Sequence, residues 1–143
     1  MRLKDKRVLV TGSTTGIGKA IAQRFVKEGA RVMIHGLEEN LARETSAELD
    51  DAPWHVSDLS DPDVPSRLIE ASIRELGGLD GLVNNAGVVT RRQPAEMSLE
   101  TWDWTYAINV RAPFLLIQAA LEELSRNKGR VLNIGSVNAH GGE

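Results

Sequence analysis

Cysteine is absent from this sequence of 143 residues, so neither a disulfide nor a cysteine-ligated metal site can form. The absence is consistent with a reducing compartment, and we expect a cytoplasmic protein. No apolar stretch approaches the roughly 20 residues that a membrane-spanning helix needs. The polar residues 1–6 lead directly into a predicted strand, so we expect no signal peptide.

An excess of charge of one sign is also missing, because the net charge is −3 and like charges form no run. A nucleic-acid-binding protein would show a basic patch, and a protein recruited to anionic lipid would show a polybasic segment. We therefore expect neither nucleic acid nor membrane among its partners. The proportions of hydrophobic residues (41%) and charged residues (26%) are typical of a globular chain, and the length suits one domain spanning residues 1–143.

Short apolar segments alternate five times with helical patterns. The predicted strands are Arg7–Val10, Arg31–Ile34, Trp54–Val56, Gly81–Val83 and Arg130–Ile134. Helices are predicted from Ile17, from Gly36 to Asp51, from Asp61 to Leu76, and from Leu99 to Arg126 with a kink at Pro113. Short apolar strands that alternate with helices predict an α/β fold with a parallel sheet covered on both faces. Right-handed crossovers favour a doubly wound sheet with strand order 3-2-1-4-5.

Three glycines, Gly12, Gly16 and Gly18, lie between the first strand and the first helix. A turn with little side-chain bulk lets backbone N–H groups approach a phosphate, and the positive end of the helix dipole favours negative charge there. The position of the glycines therefore predicts a phosphate-binding loop. A tight structural turn is the alternative.

The spacing Gly-x-x-x-Gly-x-Gly and three further motifs resemble the short-chain dehydrogenase/reductase family. The matching segments are Thr11–Gly18, Asn84–Gly87, Asn109 and Ile134–Ser136, and they occur in the family's order over essentially the whole chain. The resemblance implies a Rossmann-type fold and an NAD(P)-dependent oxidoreductase. Such an enzyme transfers a hydride between nicotinamide and a carbonyl or secondary alcohol of a small molecule. The resemblance does not indicate which substrate is used.

The resemblance also implies which residues contact the cofactor. They are Gly12, Ser13, Thr14, Gly16, Ile17 and Gly18 in the phosphate loop, Gly36 and Leu37 after the second strand, Asp58 and Leu59 at the adenine, and Asn85, Ala86 and Gly87 beside the ribose. Asp58 has an alternative role as a cap of the third helix. Asn84 has an alternative role in tying neighbouring strands together.

The choice between NAD and NADP depends on the end of the second strand. Where the family has an acidic residue for the adenine ribose, this sequence has Gly36. The basic residue that would hold a 2′-phosphate is missing both at Leu37 and at Thr15. Because Glu38 and Glu39 add negative charge nearby, we favour NAD, although these glutamates fit a solvated helix start better than a ribose contact.

Two residues match the family's catalytic set. Ser136 corresponds to the serine that hydrogen-bonds the substrate oxygen, and Asn109 to the asparagine that positions water in a proton relay. Negative charge develops on the oxygen during hydride transfer to C=O, so such donors are needed. The family's Tyr-x-x-x-Lys pair is not present, and Tyr106, with Val110 four residues on, does not replace it.

These matches predict the N-terminal portion of an oxidoreductase, stopped before a sixth and a seventh strand and inactive alone. A non-catalytic dinucleotide-binding or sensing module is the alternative. We expect exposed apolar surface on the fifth strand and the fourth helix, and a homo-oligomer formed through that helix or the sheet edge. Trp102 and Tyr106 share a helical face, which favours a helix–helix contact over a stacking platform. The three histidines show no metal-binding spacing, and His140 could approach a substrate.

Overall fold

Five strands alternate with helices along residues 1–136, the part of the chain that this computed structural model describes. The strands are β1 (Arg7–Val10), β2 (Arg31–Gly36), β3 (Trp54–Val56), β4 (Gly81–Asn84) and β5 (Arg130–Asn133). The α-helices are α1 (Gly16–Lys27), α2 (Glu39–Glu48), α3 (Val64–Leu76), α4 (Leu99–Tyr106) and α5 (Ala112–Arg126). A 3₁₀ turn (Pro94–Glu96) precedes α4, and a π-helical segment (Ala107–Arg111) joins α4 to α5.

The strands form one parallel sheet in the order β3-β2-β1-β4-β5, which confirms the predicted topology. The chain winds outward from β1 to β3 and then returns to the other side of β1 for β4. This reversal creates a switch point at the carboxyl ends of β1 and β4. In open α/β sheets such a switch point is where ligands bind.

Alternating side chains of the central strand fill a separate core on each face of the sheet. Leu9 packs into a cluster with Leu68 of α3 and Leu116 of α5. Val10 lies on the other face, in a cluster with Ala22 of α1. Because both faces of β1 are covered, its sequence is an unbroken apolar run and not an alternation with polar residues.

An ion pair joins the first residue of β1 to the residue before β4, at the amino ends of these strands and opposite the switch point. Arg7 Nε lies 2.7 Å from Asp80 Oδ2, and the backbone N–H of Arg7 donates to the same oxygen at 3.0 Å. Arg7 also donates from its guanidinium to the backbone oxygen of Gly77. Hydrogen bonding to Arg7 lowers the pKa of the Asp80 carboxyl below its usual value.

The helix predicted from Leu99 to Arg126 is interrupted, and the interruption comes before Pro113. In the segment Ala107–Arg111 the helix widens, and the N–H of Ala112 donates to the oxygen of Ala107, five residues earlier. Proline has no N–H for the carbonyl four residues before it, so the regular α-helical pattern cannot continue through Asn109 and Pro113. The irregularity is therefore a π-helical turn.

Two other helices begin later than predicted. Strand β2 continues through Gly36, which pairs with Val56, so α2 begins only at Glu39. The Asp61 carboxylate accepts the backbone N–H of Asp63 at 2.8 Å, and this turn delays the start of α3 until Val64.

Apolar side chains are exposed on the outer helix face and on the last strand, as predicted. The helix residues form what we call the apolar stripe: Leu99, Trp102, Tyr106, Val110, Phe114 and Leu121. On and after β5 the exposed side chains are Val131, Leu132 and Ile134. Within residues 1–136, no helix has the length and apolar composition needed to cross a membrane.

Candidate functional site

A cleft of about 430 Å³ opens at the carboxyl ends of the strands, at the switch point of the sheet. The predicted cofactor residues that line it are Gly12, Thr14, Gly16, Ile17, Gly36, Leu37, Asp58, Leu59, Asn85, Ala86 and Gly87. Other lining residues are Thr15, His35, Glu38, Leu41, Ser57, Val88, Trp104 and Ile108. Ser13 and Gly18 belong to the predicted set but do not line the cleft.

Glycines are required where the loop after β1 approaches its neighbours. Gly12 has a φ of +62°, and a Cβ there would lie 3.0 Å from the Cα of Ala86. A Cβ on Gly18 would lie 2.1 Å from the backbone oxygen of Gly12. Gly18 therefore shapes the site by letting α1 pack against its own preceding loop.

The start of α1 presents unpaired donors to the cleft. Thr15, the N-cap residue, makes no side-chain capping bond, and the first turn contains no acidic residue. Backbone N–H groups in a first turn have no acceptor within the helix, and the helix dipole makes this end positive. The N–H groups near Gly16 and Ile17 are thus suited to an anionic group such as a phosphate.

Residues 11–18 contain Gly12, Gly16 and Gly18, and we call this segment the glycine loop. Hydrogen bonds hold it against the loop after β4. Thr11 Oγ1 accepts the backbone N–H groups of Asn85 and Ala86, both at 3.0 Å. The side-chain amide of Asn85 donates to the backbone oxygens of Thr11 at 2.9 Å and Gly12 at 3.1 Å. Two walls of the cleft are therefore fixed relative to each other, and little reordering is needed to bind a ligand.

Ser13 and His35 support the loop from beneath. Ser13 Oγ accepts the backbone N–H of His35 at 3.0 Å, and the N–H of Ser13 donates to the oxygen of His35 at 2.8 Å. The Ser13 side chain therefore bonds to β2 and is fully buried. His35, which no sequence motif indicated as a site residue, bonds to Gly12, and burial lowers its pKa to about 4.

The corner of the cleft between β2 and β3 is shaped by Thr14 and Asp58. A Cβ on Gly36 would lie 2.5 Å from Thr14 Cγ2, so Thr14 fills the space that a side chain at position 36 would take. Asp58 Oδ1 accepts the backbone N–H of Ser60 at 2.8 Å. The N-cap of α3 is Asp63, so Asp58 does not cap that helix.

The charge of the cleft is negative. Among the described residues that line it there is no Lys or Arg, whereas Glu38 and Asp58 are acidic. Leu37, at the position where a basic residue would hold a 2′-phosphate, is 66% exposed.

Asn109 and Ser136, the predicted catalytic residues, do not line the cleft. Asn109 lies in the π-helical segment, where Oδ1 accepts the N–H of Val88 and Nδ2 donates to the oxygen of Val88, both at 2.8 Å. These two hydrogen bonds to the backbone of Val88 fix the path of the chain after Gly87. Ser136 follows β5 and is exposed. His140 lies outside the described residues.

Asn84 ties neighbouring strands together, as its alternative role predicted. Its Nδ2 donates to Asn133 Oδ1 at 2.8 Å, across the β4–β5 pair. Within residues 1–136, no three His, Asp or Glu side chains form a group suited to a metal ion.

Comparison with known proteins shows where this combination of features recurs. The family model described as short chain dehydrogenase matches residues 6–143. The chain is 38% identical over 141 residues to 2,5-dichloro-2,5-cyclohexadiene-1,4-diol dehydrogenase LinX of Sphingobium indicum, covering 95% of this chain and 56% of that protein. It is 37% identical over 143 residues to glucose 1-dehydrogenase 2 of Bacillus subtilis, covering 94% of this chain and 55% of that protein.

A solved structure shows the same architecture. A blue fluorescent protein from a metagenomic library, crystallised with NADPH, superposes with a TM-score of 0.93 at 36% identity. The superposition covers 98% of this chain and 59% of that one. The chain thus spans little more than half the length of the relatives it matches.

Proposed function

The chain belongs to the short-chain dehydrogenase family, and we propose that residues 1–143 form the dinucleotide-binding domain of an oxidoreductase acting on a carbonyl or secondary alcohol. The observation that carries this proposal is the cleft in which the glycine loop, the start of α1 and the loop Asn85–Gly87 meet. The nicotinamide of a bound dinucleotide would supply the hydride chemistry. The domain would supply binding and orientation.

The residues present fit a dinucleotide. The first turn of α1 would hold the pyrophosphate through backbone N–H groups. Gly12 lets the loop after β1 pack against Ala86 on the facing wall. Asp58 would accept the exocyclic amine of the adenine beside Leu59. Asn85, Ala86 and Gly87 would form the wall beside the ribose.

We infer that the cofactor is NAD in preference to NADP. Supporting this choice, Glu38 and Asp58 are acidic and no basic side chain lines the described part of the cleft. A 2′-phosphate near these groups would be repelled and would have no charged partner. The blue fluorescent protein was crystallised with NADPH, so this inference separates the present chain from that neighbour.

For the reaction, we propose that Ser136 donates a hydrogen bond to the substrate oxygen. Asn109 would act in the proton relay and, through its two bonds to Val88, hold the loop after β4 in place. The 143 residues contain no Tyr-x-x-x-Lys pair, so we expect the chain assayed alone to bind a dinucleotide without reducing a carbonyl. The alternative of a non-catalytic binding or sensing module predicts the same binding.

A second copy of the chain is the partner that we propose besides the small-molecule substrate. The apolar stripe on α4 and α5 and the exposed apolar residues of β5 support self-association. A cytoplasmic location remains a prediction from the lack of cysteine.

Calorimetric titration of the 143-residue chain with NADH and NADPH tests the proposal. We expect NADH to bind, and to bind more tightly than NADPH. Absence of NADH binding would overturn the proposed function, and equal or tighter NADPH binding would overturn the cofactor preference. Reduction of a ketone panel by NADH with this chain would contradict its expected inactivity.

A further inference from the structure

One wall of the cleft is formed by α4, which the family motifs did not indicate. Trp104 of α4 and Ile108 of the π-helical segment that follows it are four residues apart, and both line the cleft. Trp102 and Tyr106 do not line it and belong to the apolar stripe. Within this helix, Trp104 therefore belongs to the cleft, whereas Trp102 and Tyr106 belong to the apolar stripe.

The position of this wall is fixed by the next residue along the same side. The Arg111 guanidinium donates to the backbone oxygen of Ser60, which directly follows Asp58 and Leu59. The side of the helix that carries Trp104 and Ile108 thus stands beside the loop after β3. Asn109, by contrast, faces the loop after β4.

The chemistry of Trp104 suits a flat aromatic ligand. It is the only Phe, Tyr or Trp among the described residues that line the cleft. Trp104 is 42% exposed, so apolar surface is left for a ligand to cover. Adenine is neutral, so the negative charge of Glu38 and Asp58 does not oppose its binding, and aromatic rings stack favourably on nucleobases.

Resting on the proposed function, the geometry points to Trp104 as a specificity-determining residue that contacts the adenosine half of the bound dinucleotide. The indole closes the adenine corner of the cleft from the α4 side. This contact favours ligands with a purine base over the nicotinamide mononucleotide half alone.

Titrations of unmodified chain, Trp104→Ala and Trp104→Phe with NADH, ADP and nicotinamide mononucleotide test this assignment. Trp102→Ala is the matched control, because Trp102 lies on the same helix and is 60% exposed outside the cleft. We expect Trp104→Ala to weaken NADH and ADP about tenfold each, with Trp104→Phe largely restoring both. Trp102→Ala should bind like the unmodified chain.

A second measurement does not depend on the folding of Trp104→Ala. In the variant W54F/W102F, Trp104 is the only tryptophan, and we expect ADP to change its fluorescence while nicotinamide mononucleotide does not. Unchanged ADP affinity in Trp104→Ala, or a response of Trp104 only to nicotinamide mononucleotide, would overturn the inference and leave the proposed function intact. Absence of NADH binding by the unmodified chain would overturn both.

Discussion

His35 accepts, through Nδ1, a hydrogen bond from the backbone N–H of Gly12, with 3.3 Å between the two nitrogens. Because Nδ1 acts as the acceptor, the ring proton lies on Nε2, which donates to the backbone oxygen of Ser57 at 3.1 Å. The neutral imidazole thus joins the glycine loop to the loop after β3, beneath the cleft. A proton on Nδ1 would set one donor against another and break the bond to Gly12.

We expect stability to fall as the pH is lowered from 6.5 towards 4. Burial lowers the pKa of His35 from 6.5 to about 4, so in this interval the unfolded chain binds more protons than the folded one. The resulting loss is about 2 kcal/mol between about pH 7 and pH 5. Urea unfolding at both pH values measures it. His35→Gln should reduce the pH dependence more than His55→Gln, because burial lowers the pKa of both imidazoles but His55 is only partly buried; equal dependence in wild type and His35→Gln would exclude this role.

Gly18→Ala should disturb the glycine loop. The added methyl group would lie 2.1 Å from the backbone oxygen of Gly12 and 2.4 Å from Asn85 Nδ2. We expect a loss of about 1–3 kcal/mol in unfolding free energy, and about tenfold weaker NADH binding because the loop must move. Thermal unfolding and calorimetry measure the two effects. Gly135→Ala, where nothing lies within 4 Å, is the control, and the prediction fails if both variants behave alike.

Leu37→Arg should shift the cofactor preference towards NADPH. A guanidinium at this exposed position on the cleft could pair with a 2′-phosphate, and a charge-assisted hydrogen bond of this kind contributes about 1.5–3 kcal/mol. We expect about tenfold or greater tightening for NADPH and little change for NADH. Leu99→Arg, at an exposed position that does not line the cleft, should tighten neither. The same gain in both variants would show a nonspecific charge effect.

Asp80→Ala should destabilise the sheet at the edge opposite the cleft. It leaves the half-buried Arg7 without its ion pair and removes an acceptor from the Arg7 backbone N–H. We expect a loss of about 1–3 kcal/mol by urea unfolding. Glu39→Ala removes an exposed ion pair with Arg43 and should cost less than about 1 kcal/mol. NADH affinity of folded Asp80→Ala should be unchanged, and a tenfold loss would contradict a purely structural role.

The apolar stripe and the exposed apolar residues of β5 are two candidate contacts for self-association, and substitutions distinguish between them. Light scattering at high concentration should give a mass above the 15.6 kDa of one chain. If the stripe forms the contact, Phe114→Glu should lower the mass and Leu132→Glu should not. The reverse pattern would assign the contact to β5, and a monodisperse monomer of the unmodified chain would refute self-association.

The strand order and the position of the cleft could be predicted because both follow from local rules. Short apolar runs separated by helices permit few topologies, and the glycines at positions 12, 16 and 18 lie where strand and helix meet. The tie between Asn84 and Asn133 was likewise foreseeable, since parallel neighbours align equivalent strand ends.

Other features depend on contacts between distant segments. The burial of His35 beneath Gly12 is set by the register of β2, which its own sequence does not reveal. A serine at position 13 could face a ligand or, as here, bond to β2, and the residue type alone does not distinguish the two arrangements. The position of Trp104 at the cleft depends on how its helix packs against the sheet, which the sequence around it does not reveal.

The contact between Thr14 and Gly36 restricts the order in which mutations could convert this site to one with a ribose-binding carboxylate. A Cβ at position 36 would lie 2.5 Å from Thr14 Cγ2 and 2.7 Å from Thr14 Oγ1, and the buried threonine is β-branched, so its side chain has few rotamers. Gly36→Asp is therefore damaging on its own and becomes tolerable only after position 14 has changed to alanine or glycine. Evolution or engineering towards an acidic strand end must pass through position 14 first.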